Sequence, residues 1–109
     1  MKYLLSHYPS FTALACANDE MAAGALRVAR ERGVSVPDDL SMVGFDNVVL
    51  SHHLYPRLTT IDTPMDQLGR LAGQWIMRNA YGVSGPPVPQ IVAPTLVVRE
   101  SVQCMVPAG

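Results

Sequence analysis

The sequence predicts an α/β domain built on a parallel sheet with flanking helices. Three observations carry this. Phe11-Thr-Ala-Leu-Ala-Cys-Ala17 is an almost unbroken apolar run, the pattern of a strand buried on both faces. A helical pattern fills residues 20–32, and a second short strand pattern fills residues 40–45. Strand–helix–strand alternation of this kind lays helices over the faces of a parallel sheet.

Each element has a local reason. Asn18-Asp19 supplies helix-capping chemistry directly after the first strand. In the helix that follows, Met21, Ala22, Ala25, Leu26, Val28 and Ala29 share one wide arc, while Glu20, Arg27, Arg30 and Glu31 take the other side. Gly33 is the expected C-terminal stop. Pro37-Asp38-Asp39 reads as a loop, Leu40-Ser-Met-Val-Gly-Phe45 as the second strand, and residues 48–54 as a short helical turn that Tyr55-Pro56-Arg57 breaks. Leu58-Thr-Thr-Ile61 is rich in β-branched residues and reads as a third strand.

Thr63-Pro64 opens the next helix, with Thr63 expected at the cap and Pro64 at the first helical position. Met65, Leu68, Leu71, Ala72, Trp75 and Ile76 share its apolar face, and it ends near Tyr81-Gly82. A Gly/Pro loop leads to a last strand region over residues 91–99, interrupted at Pro94. Residues 103–109 are expected to fray. Four strands and two long helices are too few to cover both faces of such a sheet. The chain is therefore expected to be part of a larger α/β domain.

Composition narrows the function. The chain has 109 residues, 49% of them hydrophobic, and a net charge of -1 from 8 Lys+Arg against 9 Asp+Glu. That suits one small folded unit and provides no basic face for nucleic acid. Cys16 and Cys104 have neither redox nor metal spacing, and Cys16 reads as a buried thiol. Only four uncharged residues separate Lys2 from His7, too few for a signal-peptide core, and no run is long enough to span a membrane. The expected compartment is the cytoplasm.

Open parallel sheets bind ligands at the carboxyl ends of their strands. Asn18 follows the first strand and Asp46 the second. An amide and a carboxylate on rigid strand ends can grip sugar hydroxyls, since the carboxylate accepts from two hydroxyls while the amide both donates and accepts. Asn18 also reads as a helix N-cap, and Asp46 as a turn-forming residue. Phe45 and Trp75 read as core. His52-His53 lacks a third metal ligand and reads as a solvated turn. Ser51 beside His52 is not a triad, and no nucleophile elbow or phosphate-binding glycine motif is present. No enzyme activity, metal or cofactor is expected.

Four segments resemble the LacI/GalR family of transcription repressors, and its galactose-repressor-like members in particular. They are Ala17-Asn-Asp-Glu-Met-Ala-Ala-Gly-Ala-Leu26, Val36-Pro-Asp-Asp-Leu-Ser-Met-Val-Gly-Phe-Asp46, Pro56-Arg-Leu-Thr-Thr-Ile61 and Pro94-Thr-Leu-Val-Val-Arg-Glu-Ser101. The resemblance covers residues 11–102. It implies a two-lobed, periplasmic-binding-protein-like (type I) effector domain, of which this chain is the last part. Residues 1–61 would belong to the C-terminal lobe. Residues 62–93 would hold the hinge crossing and a helix of the N-terminal lobe, and residues 94–109 the final strand of the C-terminal lobe and a tail. It implies effector contacts at Asn18 and Asp46, with Thr63 and Met65 lining the cleft from the hinge side. It also implies a homodimer surface at Ala22, Ala23, Leu26 and Leu54. The effector would be a sugar or related polyol, and operator DNA would be held by a domain absent from this chain. A periplasmic sugar-binding protein of the same fold is the alternative.

Overall fold

The structure, a computed structural model, describes residues 1–8 and 10–104. Its elements are α1 (Lys2–His7), β1 (Ala13–Ala15), α2 (Asp19–Glu31), β2 (Ser41–Val43), α3 (Val49–His53), β3 (Thr60–Asp62), α4 (Met65–Tyr81) and β4 (Thr95–Val97). The chain forms two compact units, Met1–Asp62 with Thr95–Gly109, and Thr63–Pro94.

In the first unit β1 and β2 run parallel, Ala13 opposite Ser41 and Ala15 opposite Val43. The Cys16 N–H continues this ladder to the Val43 carbonyl at 2.8 Å. Val43 bridges Thr59 in parallel, and Gly44 and Asp46 carry the pairing on, their N–H groups 2.9 Å from the carbonyls of Thr59 and Ile61. The last strand runs the other way: β4 is antiparallel to β3, with Asp62 opposite Thr95. The chain leaves after Asp62 and re-enters beside it, so the returning strand must run backwards. A parallel return would need a crossover to the other end of the sheet.

Asn18 caps α2, its Oδ1 accepting the Met21 N–H at 2.8 Å. At the other end Gly33, with φ +70°, lets the chain turn away. Its N–H reaches the Arg30 carbonyl at 3.2 Å and that of Val34 reaches Ala29 at 2.9 Å, which satisfies the final carbonyls of the helix. The inner face of α2 places Ala22, Ala25 and Leu26 against Leu40, Met42 and Leu58. The small alanines bring the helix backbone close to the sheet. Met21 is an exception to the expected arc and stays exposed. It lies at the arc's edge in the first turn, about 100° from Ala22.

Lys2–His7 has no counterpart among the expected elements; it is a short helix with no buried residue. Gln103 is tied down rather than frayed, its N–H donating to Ser41 Oγ at 3.2 Å and its Nε2 to the Asp38 carbonyl at 2.7 Å. The rest of the expected tail, residues 105–109, lies outside the described residues. Arg57 and Glu100 form an exposed ion pair at 2.7 Å. The hydrogen bond from the Arg57 guanidinium holds the Glu100 carboxyl below its ordinary pKa and pushes that of Arg57 up. This pair therefore contributes at neutral pH and is lost as pH falls through the lowered value of Glu100.

In the second unit, α4 begins after Pro64, which occupies the cap position. Thr63 does not cap it: no side-chain cap bond is present, and the shielded Thr63 hydroxyl has no hydrogen-bond partner among the described residues. The helix closes at Gly82 in the left-handed region, φ +68°. Beyond it Arg78 Nη1 donates to the carbonyls of Gly85 and Pro86, both at 2.6 Å, and folds the loop onto the helix end. No residue of α4 is buried, and Trp75 is 51% exposed. Trp75, expected in the core, here stays half exposed and, with Leu68, lines an open pocket against Val88 and Val92 of the loop that follows the helix.

Candidate functional site

Because β1, β2 and β3 point the same way, the turns that follow them gather at one edge. The Asp19 N–H donates to the Phe45 carbonyl at 3.0 Å, joining the turn after β1 to the turn after β2. Asn18 and Asp46 thus stand on adjacent turns of one rigid edge. Asn18 spends its Oδ1 on the helix cap, and no described residue bonds its Nδ2, so the amide keeps a donor in reserve.

Asp46 is exposed, has φ +98°, and its carboxylate accepts from no described residue. It is not a turn-forming Asx residue. Such a turn would recruit the N–H of Val48, two residues on, and that N–H is bound to Asp19 Oδ2 at 2.9 Å. An exposed carboxylate on a fixed backbone, on a turn adjacent to one that carries an amide donor, can accept hydroxyls.

The residues beneath this edge were not foreseen from sequence. Asp19 is fully buried and also accepts from Thr60 Oγ1 at 2.6 Å. Gly44 makes room for it: a Cβ there would collide with Asp19 Oδ1 and lie 2.8 Å from Leu58 Cδ2. Asn47 donates from Nδ2 to Asp62 Oδ1 at 2.8 Å and accepts from Arg99 Nη2 at 2.6 Å. Arg99 further donates from Nη1 to the Leu58 carbonyl at 2.6 Å and to Ser51 Oγ at 3.0 Å, and Nη2 lies 3.0 Å from His52 Nε2. Ser101 Oγ donates to the Met42 carbonyl at 2.6 Å and accepts the Thr59 N–H at 2.8 Å, stitching the sheet. The sequence signal for Arg99 and Ser101 was present, since both fall in the last family-like segment, but spacing alone gives them no partners.

Other expectations resolve as follows. His52 is exposed and meets Arg99, so it is more than a solvated turn residue; among the described residues no three His, Cys, Asp or Glu side chains group as metal ligands. Ser51 is buried, and its hydroxyl proton is committed to the Val48 carbonyl at 2.7 Å. Cys16 is half-buried, and desolvation raises its thiol pKa. Thr63 and Met65 belong to the second unit, where Met65 is exposed.

The residues of the expected dimer surface differ in exposure. Ala22 has no exposed surface, because it is spent on the contact with the sheet. Leu26 is also mainly core, at 6% exposure, and only its edge borders a groove with Ala23, Arg30, Leu54 and Tyr55. Arg30 Nη2 donates to the Tyr55 carbonyl at 2.7 Å and fixes one wall of this groove.

Comparison with known proteins agrees with this architecture. Residues 2–102 match the family described as periplasmic binding protein-like domain. The regulator GalR of Salmonella typhimurium is 41% identical over 109 residues, all of this chain and 32% of the relative. The solved complex of the transcriptional regulator CelR with cellobiose superposes with a TM-score of 0.83 at 33% identity, covering 92% of this chain and 31% of that one. A LacI-family regulator from Arthrobacter sp. FB24, in complex with lactose, gives 0.79 at 30% identity over 93% of this chain and 39% of that one. The chain spans about a third of the length of these relatives. It belongs to the periplasmic binding protein-like domain family and corresponds to part of the effector-binding domain of LacI-type transcription regulators.

Proposed function

We propose that this chain is the effector-sensing and dimerising part of a LacI/GalR-type transcription regulator, and that its effector is a sugar or related polyol. The observation that carries this is Asp46, an exposed carboxylate without a partner among the described residues, on a strand-end turn adjacent to the one that carries Asn18. Thr63 and Met65 would line the cleft from the hinge side. The two units would then belong to the two lobes, Met1–Asp62 with Thr95–Gly109 to one and Thr63–Pro94 to the other. Effector binding would favour one lobe arrangement, and the dimer would pass that bias to DNA-binding heads outside this chain. With a net charge of -1, the chain supplies no electrostatic grip on DNA of its own. The matched relatives are regulators, which favours this reading and a cytoplasmic site over a periplasmic sugar carrier.

The test is a calorimetric titration of the whole regulator with glucose, galactose, lactose and cellobiose, paired with operator release. At least one sugar is expected to bind and to alter operator affinity. Silence across all four would reject the reading. The dimer part has its own check. Ala23→Glu places a charge on the surface edge of the groove without touching the core. It is expected to weaken self-association at least tenfold, about 1.4 kcal/mol, in sedimentation, with the circular dichroism of the folded protein unchanged. An unaltered dimer would remove this face from the interface.

A further inference from the structure

We propose that Arg99 and Asn47 are positioning residues that hold the Asp46 turn in its binding geometry before any ligand arrives. The proposal rests on Asp46 being the effector's acceptor. Asp46 and Asn47 are consecutive non-glycine residues at positive φ, +98° and +52°. Such conformations are sparsely populated and persist only where the surroundings over-determine them.

Here the Asn47 side chain is gripped at both ends. Its Nδ2 donates to Asp62 Oδ1 at 2.8 Å, at the end of β3, and its Oδ1 accepts from Arg99 Nη2 at 2.6 Å. The backbone is held too: the Asp46 N–H reaches the Ile61 carbonyl at 2.9 Å and the Asn47 N–H reaches Thr60 Oγ1 at 3.3 Å. Arg99 is itself immobilised. Its Nη1 is bound to the Leu58 carbonyl and Ser51 Oγ, and its backbone N–H donates to Thr59 Oγ1 at 2.9 Å. A planar guanidinium can serve Leu58 on one nitrogen and Asn47 on the other at once, which a lysine ammonium cannot reproduce. The consequence is pre-organisation: the carboxylate need not be ordered by the ligand, so binding bears less of that cost.

Amide hydrogen exchange in the whole regulator tests this without knowledge of the effector. In Arg99→Met the amides of Asp46 and Asn47 are expected to exchange more than tenfold faster, while those of Cys16 and Ala22 keep their rates. Asn47→Asp, which tolerates the same φ but cannot donate to Asp62, is expected to loosen the same two amides. It serves if the Arg99 variant fails to fold. Unchanged rates at Asp46 and Asn47, or an equal rise at Cys16 and Ala22, would overturn the proposal; the latter marks Arg99 as a general structural residue. Where one of the four sugars binds, its affinity is expected to fall at least tenfold in Arg99→Met. Asp46→Asn separates the two readings. If it leaves sugar affinity unaltered, the Asp46 assignment fails, while the exchange data still decide whether the turn is clamped.

Discussion

Asp19→Ala is expected to cost more stability than any other single truncation at the strand-end edge. Asp19 is fully buried and accepts from Thr60 Oγ1 at 2.6 Å and from the Val48 N–H at 2.9 Å. Alanine would leave both donors without an acceptor, at roughly 1–3 kcal/mol each, or about 2–6 kcal/mol together. Whole domains are stable by only about 5–15 kcal/mol, so the variant would lose its cooperative transition or melt at far lower denaturant. Asp19 also sits in the first turn of α2, where a negative charge is favoured by the helix dipole. Asn at the same position keeps the shape and one acceptor oxygen but turns an NH2 group toward a donor, so a smaller loss is expected. Urea denaturation followed by circular dichroism measures both. A wild-type midpoint for Asp19→Ala would show that the carboxylate is not needed to close the turns after β1 and β2.

Asp46→Ala is expected to do the reverse, removing binding while sparing the fold. Its carboxylate is exposed and supports no other described residue, so the loss of stability is confined to alanine's poorer tolerance of φ +98°, about 1 kcal/mol and smaller than that of Asp19→Ala. A charged acceptor to a sugar hydroxyl is worth roughly 1.5–3 kcal/mol, which corresponds to a drop of about 10-fold to 150-fold in effector affinity. Operator binding in the absence of effector is expected to persist. Asp46→Asn keeps an acceptor oxygen without the charge and should fall between the two. Calorimetry with whichever of glucose, galactose, lactose or cellobiose binds the parent regulator gives the number. Undiminished affinity in the alanine variant would take Asp46 out of the site.

The contrast between these two neighbouring carboxylates shows what sequence can and cannot say. The local elements were legible because their causes are local. Asn18 caps α2 by a bond to Met21, three residues on, and Gly33 ends it because the chain there adopts φ +70°. The strand-end positions of Asn18 and Asp46 followed from the alternation of apolar runs and helical periods. Even so, the reserve donor on Asn18 and the vacant carboxylate of Asp46 required the neighbours' hydrogen bonds to be known.

The amino-acid order by itself determined the parallel β1–β2 pair, the amphipathic α2 and the two strand-end residues, all set by periodicity and capping chemistry within about thirty residues. Tertiary structure decided which polar groups are buried. Asp19 meets Val48 and Thr60, 29 and 41 positions away, and Arg99 meets Asn47 across 52. It also decided that β4 runs backwards beside β3, and that Ala22 packs into this chain's own core. The physical reason is common to all of these. A hydrogen bond or a packed methyl depends on where distant segments meet in space, and no local propensity encodes that meeting.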